Sequence, residues 1–310
     1  MQEKDVLRLV FIALLLAPAA SAHSVAPVVT KDALGTTIVA HLESAPFPDG
    51  KAKYTDDTVV IFVPRHYAPR ERVDIVTFHH GHYSTALASL EALRVREQLV
   101  ISRKEAVLVA PQGPVYAKDS SSGKLERPGA FARLLGDVVG VLVAERLAPA
   151  GATVGTVVVV AHSGGFEAGA DAARLGGAPV GQVIVLDGLY GRFDQFAEWI
   201  AGDPKRRFAS LVTEGGRPDE RTMYLKGALR RRGVTRWLDE RVEGRSSRRD
   251  LMRSRVLLLT VRMGHVESAY AHLALRDLLM VGPLRHSGKH EWYAHSRKHP
   301  RVLERYQPPS

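Results

Sequence analysis

The 310-residue chain contains no cysteine. That absence excludes disulfides, thiolate metal sites and a cysteine nucleophile together. A chain of this length can bury a core large enough to fold without cross-links. Also lacking are an internal repeat, a Gly-, Pro- or Ser-rich linker and a nucleotide-binding fingerprint. The pairs Gly176-Gly177 and Gly215-Gly216 read only as turns. No aromatic-interleaved basic motif of the kind that binds nucleic acid accompanies the net charge of +10.

The apolar run near the start, Leu9 to Ala17, is too short to cross a bilayer. Lys4 and Arg8 precede it, and Ala20-Ser21-Ala22 follows it. A positive leader, a short apolar stretch and small residues two apart predict a signal peptide over 1–22, cut after Ala22. The mature protein is then expected to be secreted or periplasmic, with no integral membrane anchor. Lys4 and Arg8 cancel Glu3 and Asp5, so the charge of +10 belongs to the mature chain. The excess gathers between Lys205 and Arg255 and in the tail from Arg285 to Arg301. Such a protein is open to weak association with anionic envelope polymers, although solubility explains the charge as simply.

Periodicity predicts alternating strands and helices. Thr37–Leu42 and Thr58–Val63 read as an antiparallel pair, and Val73–Phe78 as a buried parallel strand. Thr85–Val100 has helical spacing, Ala106–Ala110 is the next strand, and Pro128–Leu147 the next helix. Strand Thr156–Ala161, helix Gly165–Leu175 and strand Val183–Leu186 follow. Strand Phe208–Thr213, helix Thr222–Arg232, strand Val256–Val261 and helix Tyr270–Met280 complete the series. The alternation implies an α/β fold, a mostly parallel central sheet with helices on both faces. One domain over 23–284 is expected, followed by a basic, His-rich tail over 285–310. Residues 118–127 read as a polar loop. Phe193, Phe196, Trp199 and Ile200 fall at helical spacing and suit either a small cap or a packed helix.

In such a sheet, ligands gather at the carboxyl ends of the strands. There the four-valine strand runs into Ala161-His162-Ser163-Gly164-Gly165 and straight on into a helix. A string of this kind arises by chance in roughly a third of chains this long, so its position is what makes it informative. Small residues two positions either side of Ser163 suit a tight strand-to-helix turn that lifts Oγ above the sheet. An ordinary helix cap is the competing reading of Ser163. Upstream, Phe78-His79-His80-Gly81-His82-Tyr83 ends another strand. Three histidines in four residues also suit zinc, but neighbours in a strand face opposite ways and no carboxylate is near. Downstream, Gly264-His265 follows the last strand.

In this order the motifs resemble those of the α/β-hydrolases, and the resemblance covers roughly 58–280. It implies Ser163 as nucleophile, His265 as its base, and the backbone N–H groups of His82 and Gly164 as the oxyanion hole. Tyr83 is the weaker donor. His162, expected to face away from the turn, and His272, expected inside a helix, are the weaker bases. For the acid the resemblance leaves three residues open. Glu214 and Asp219 follow the strand where the family usually carries it. Asp187 lies one strand earlier, at the tip of a buried strand where a charge needs a partner, and is the preferred acid, with Glu214 and Asp219 as alternatives. The implied activity is hydrolysis of an ester through an acyl-enzyme on Ser163, with no cofactor. The substrate would be a small or polymer-linked acyl compound. A peptidase or amidase, or an exported binding protein without turnover, are the other readings.

Overall fold

The computed structural model describes residues 26–289 and 291–294. The expected leader over 1–22 lies outside them, as do His290, His295 and His299 of the tail. Ten strands form one sheet: β1 (Val28–Lys31), β2 (Gly35–His41), β3 (Thr58–Pro64), β4 (Arg72–His79), β5 (Val107–Pro111), β6 (Thr153–His162), β7 (Val180–Leu186), β8 (Arg207–Thr213), β9 (Leu238–Glu240) and β10 (Val256–Val261). Their order across the sheet is β1-β2-β3-β5-β4-β6-β7-β8-β10-β9. The β1–β2, β2–β3 and β3–β5 pairs are antiparallel and all later pairs are parallel. From β3 to β8, and again in β10, nearly every residue is buried. A sheet covered on both faces requires this, and it is why these strands show as continuous apolar runs.

The helices are α1 (Ala86–Ala92), α2 (Val95–Ser102), α3 (Ala130–Ala144), α4 (Phe166–Leu175), α5 (Phe193–Ala201), α6 (Arg217–Arg231), α7 (Arg248–Arg253), α8 (Ala274–Met280) and α9 (Glu291–Ala294). Two apolar clusters lie on the sheet, one holding Phe131, Leu135, Phe196 and Leu225, the other Phe78, Leu90, Leu99 and Leu279. Phe196, Trp199 and Ile200 of α5 are buried in the first. This helix is packed into the body and is not a cap. Among the described residues no helix is long and apolar enough to cross a membrane.

Three expectations need correction. The helix read over Thr85–Val100 is two, because Arg94 takes a left-handed conformation (φ 53°) between α1 and α2. The buried amide of Gln98 explains the break. Its Nε2 donates to the carbonyls of Leu93 (3.0 Å) and Ala269 (2.9 Å), and its Oε1 accepts from the Leu275 N–H (3.0 Å). One side chain thus satisfies the end of α1 and the first turn of α8, whose Leu275 lies 177 residues from Gln98. Second, α8 starts at Ala274, not Tyr270, so His272 lies in the turn before it, with Nδ1 3.0 Å from Glu243. Third, the segment read as a tail from Arg285 is anchored to the domain at its start, although Arg285 itself is exposed. Arg285 pairs with Asp74 (3.3 Å), and Trp292 is buried with its Nε1 donating to Asp277 (2.8 Å).

Replacing Gln98 by Leu removes the partner of two carbonyls and of the N–H groups of Leu275 and Arg276 at the start of α8. The expected cost is on the order of 3 kcal/mol of unfolding free energy. Chemical denaturation of Gln98→Leu measures it.

Candidate active site

The site forms where the strand order reverses, at the carboxyl ends of β4 and β6, which are neighbours in the sheet. β6 ends at His162 in extended conformation, and Ser163 turns sharply with φ 51° into a short 3-10 turn and then α4. A serine at positive φ is strained by about 1–3 kcal/mol, a cost that the surrounding packing must impose. Ala161 is small for a related reason, since a Cβ added at Gly169 of α4 would fall 3.0 Å from the Ala161 methyl. Gly165 lets α4 start directly over the exit of β4: a Cβ there would fall 2.7 Å from the His80 carbonyl oxygen. Gly81 does the same from the other side, where a Cβ would meet Ser163 Cβ at 2.8 Å and Oγ at 3.3 Å.

Ser163, His265 and Asp187 are brought together. Asp187 is 3 % exposed, follows β7 and has φ 40°. Its Oδ2 lies 2.6 Å from His265 Nδ1, and His265 Nε2 lies 2.8 Å from Ser163 Oγ. An ionised carboxylate only accepts, so Nδ1 carries the proton and Nε2 presents its lone pair to the serine hydroxyl. Burial by itself would raise the Asp187 carboxyl. The hydrogen bonds from His265 and from Thr213 outweigh burial and hold the carboxyl below its ordinary value. Thr213 closes β8 and donates twice, from N–H to Oδ1 (2.9 Å) and from Oγ1 to Oδ2 (3.0 Å).

Glu214 and Asp219 are placed elsewhere. Glu214 is exposed and accepts from Arg262 Nε (2.8 Å). Asp219, in the first turn of α6, accepts from Arg241 (2.6 Å) and from the Gly215 N–H (3.1 Å). Neither has a bond to His265.

The oxyanion-type loop is built from its histidines. His80 is buried, and its Nε2 accepts from the Gly113 N–H (3.0 Å), so its Nδ1 carries a proton and donates to the Gly81 carbonyl (2.8 Å). Gln112 reinforces this, with its Nε2 2.9 Å from His80 and its Oε1 accepting from the Ala86 N–H at the start of α1 (3.0 Å). In a trans peptide the N–H points opposite the C=O, so fixing the Gly81 carbonyl also fixes the direction of the His82 N–H. Among the described residues no backbone acceptor takes that N–H, whereas the Tyr83 N–H is spent on the Ala117 carbonyl (3.0 Å). Gly164 lies directly beneath the His82 ring, which Ser120 holds through Nε2 (2.8 Å). The rings of His79, His80 and His82 therefore diverge to Thr77, Gly113 and Ser120.

His162 differs from its expectation. Its ring does not face away but lies against that of His265, with centroids 4.9 Å apart. As the last extended residue of β6, it projects to the face onto which the His265 loop folds. Sequence reasoning also missed Thr213, Gln112 and Tyr190. The Tyr190 phenol is raised by burial and by the Asp187 charge, and Arg221 donates to the Tyr190 carbonyl. A polar residue at a strand exit is the only signal these three carried.

Burial pushes His79 down to about 3 and His162 down to about 4. Both stay neutral in the folded protein while their unfolded counterparts take up protons near pH 6.5. Stability is therefore full above that value and falls as the pH drops toward 4. The slope is up to about 1.4 kcal/mol per pH unit for each histidine. Urea unfolding at pH 7 and pH 5 reads this directly, and equal stabilities would contradict the buried, neutral assignment. The 2.6 Å bond between His265 and Asp187 predicts a far-downfield imidazole proton in the NMR spectrum. It should be lost in Asp187→Ala and kept in Glu214→Gln.

No protein-family model matches the chain, and no curated protein matches it either. Solved structures do. A point mutant of the feruloyl esterase module from Clostridium thermocellum, complexed with sinapinate, is similar with a TM-score of 0.54 and 11% identity, over 84% of this chain and 94% of that one. The substrate-bound fluorophosphonate-binding serine hydrolase F of Staphylococcus aureus is similar with a TM-score of 0.50 and 8% identity, over 79% and 97%. At these identities the likeness concerns the fold, and the chain has the α/β-hydrolase fold.

Proposed function

We propose that the chain is an exported serine hydrolase that cleaves esters. The observation that carries this reading is the continuous chain of hydrogen bonds from Asp187 through His265 to Ser163 Oγ. His265 Nε2 takes the serine proton as Oγ attacks the carbonyl carbon, and the oxygen of the tetrahedral intermediate gathers charge. The N–H groups of His82 and Gly164 meet that charge. Collapse of the intermediate expels the alcohol, protonated by His265, and leaves an acyl group on Ser163. Water, activated by the same imidazole, releases the acid and restores the serine. Asp187, itself held by Thr213, keeps a proton on His265 Nδ1, so that Nε2 is free to take the proton of the serine and later that of the water.

The ester class is preferred over peptides because both similar folds belong to proteins named for ester or general serine-hydrolase chemistry. Export follows from the leader-like start of the sequence, and a basic surface suits a substrate attached to an anionic polymer.

A fluorophosphonate probe should label the wild type and spare Ser163→Ala. Equal labelling of the two would overturn the assignment. With p-nitrophenyl acetate, Asp187→Asn should lose about 10^3- to 10^4-fold in kcat. Glu214→Gln should retain kcat within about twofold, since an exposed ion pair contributes little.

A further inference from the structure

Beside Ser163 lies a cleft of about 250 Å3 whose wall includes His82, Tyr83, Ala92, Leu93, His265 and Val266. Three features mark it as built for an apolar group. At its wall, apolar side chains face water: Tyr83 is 64 % exposed and Val266 49 %. Second, Tyr83 and Tyr116 both hold left-handed backbone, with φ 54° and 47°. That conformation is unusual for bulky residues and gathers at functional sites. Third, the two loops clamp each other. The Tyr83 N–H donates to the Ala117 carbonyl (3.0 Å) and the Tyr116 N–H to the Ser84 carbonyl (3.1 Å). The backbone of Tyr83 is therefore held at the rim by these bonds, and its ring meets that of His82 edge-on, with centroids 6.3 Å apart.

We propose that this cleft, with Tyr83 at its rim, holds an apolar group of benzoyl or hexanoyl size flanking the scissile carbonyl of the substrate. The inference rests on the proposed ester hydrolysis at Ser163. At about 30 Å3 for each water-sized group, the volume accepts roughly eight non-hydrogen atoms. A benzoyl or hexanoyl group fills it, and an acetyl group leaves most of it to water. Filling a pocket with several apolar groups discriminates between substrates by about tenfold or more. The cleft is bounded both by the oxyanion-type loop and by His265, so the group can belong to the acid or to the alcohol, and the experiment separates the two.

Two series are compared: p-nitrophenyl acetate, hexanoate, benzoate and dodecanoate, and the acetates of ethanol, cyclohexanol and phenol. In one of them kcat/KM of the wild type should rise about tenfold or more with the apolar group, and the dodecanoate should lose that gain. Ala92→Trp fills the cleft from an exposed position and should cancel the rise. Tyr83→Ala should raise KM for the preferred ester more than it lowers kcat. Flat profiles in both series, or a rise that survives Ala92→Trp, would overturn the proposal. Binding of methyl benzoate to Ser163→Ala, followed by NMR, reads the cleft without turnover. Saturable binding that Ala92→Trp abolishes, in a wild type that hydrolyses no ester, would sink the hydrolase reading and keep the cleft. Absent binding together with normal hydrolysis of acetates would do the reverse.

Discussion

The site depends on a close approach of backbones at Ser163. The exit of β4 comes in at Gly81, the start of α4 leaves at Gly165, and the turn after β7 closes over the serine at Gly188. A Cβ at Gly188 would fall 2.7 Å from the Ser163 carbonyl oxygen, and one at Gly81 2.8 Å from Ser163 Cβ. Because no side chain separates these segments, the strained serine has no room to relax into an ordinary helix start. The same collapse carries Asp187, at the end of β7, to within reach of the His265 loop. Packing thus fixes what the proposed chemistry needs, a hydroxyl held against an imidazole and beneath a directed N–H.

The electrostatics follow from that packing. Three strand exits carry histidines, and burial keeps His79, His80 and His162 below their ordinary values. They serve as neutral, directional groups: His80 turns a peptide, and His162 provides a flat surface for His265. The charge in this region rests on Asp187, whose burial is offset by Thr213 and His265. These neutral histidines add no positive charge beside the imidazole of His265. The arrangement is sensitive to acid, since the groups that shape it resist protonation only while folded.

Much of this was legible in the sequence. Strands buried on both faces appear as apolar runs whatever their partners, so β2 to β8 and β10 could be read from composition and spacing. The turn at Ser163 and the exit at Gly81 were legible because steric rules restrict the residues there to small ones. Asp187 was favoured by a charge ending an apolar strand, but Glu214 and Asp219 stayed open. Their partners, Arg262 and Arg241, lie 48 and 22 residues away in the chain, and no local pattern announces them. The break at Arg94 was hidden for the same reason, as it answers to contacts of Gln98 with a distant loop and helix. Edge strands β1 and β9 escaped notice because β1 is wholly exposed and β9 is only three residues long.

The central claim is that a covalent acyl intermediate forms on Ser163. Rapid mixing with p-nitrophenyl acetate, quenching in acid and mass mapping of the peptides tests it most directly. The account predicts a burst of about one p-nitrophenolate per chain and an acetyl group on the peptide that carries Ser163. Hydrolysis without a trapped acetyl group, or acetylation of another residue with Ser163 unmodified, would contradict it.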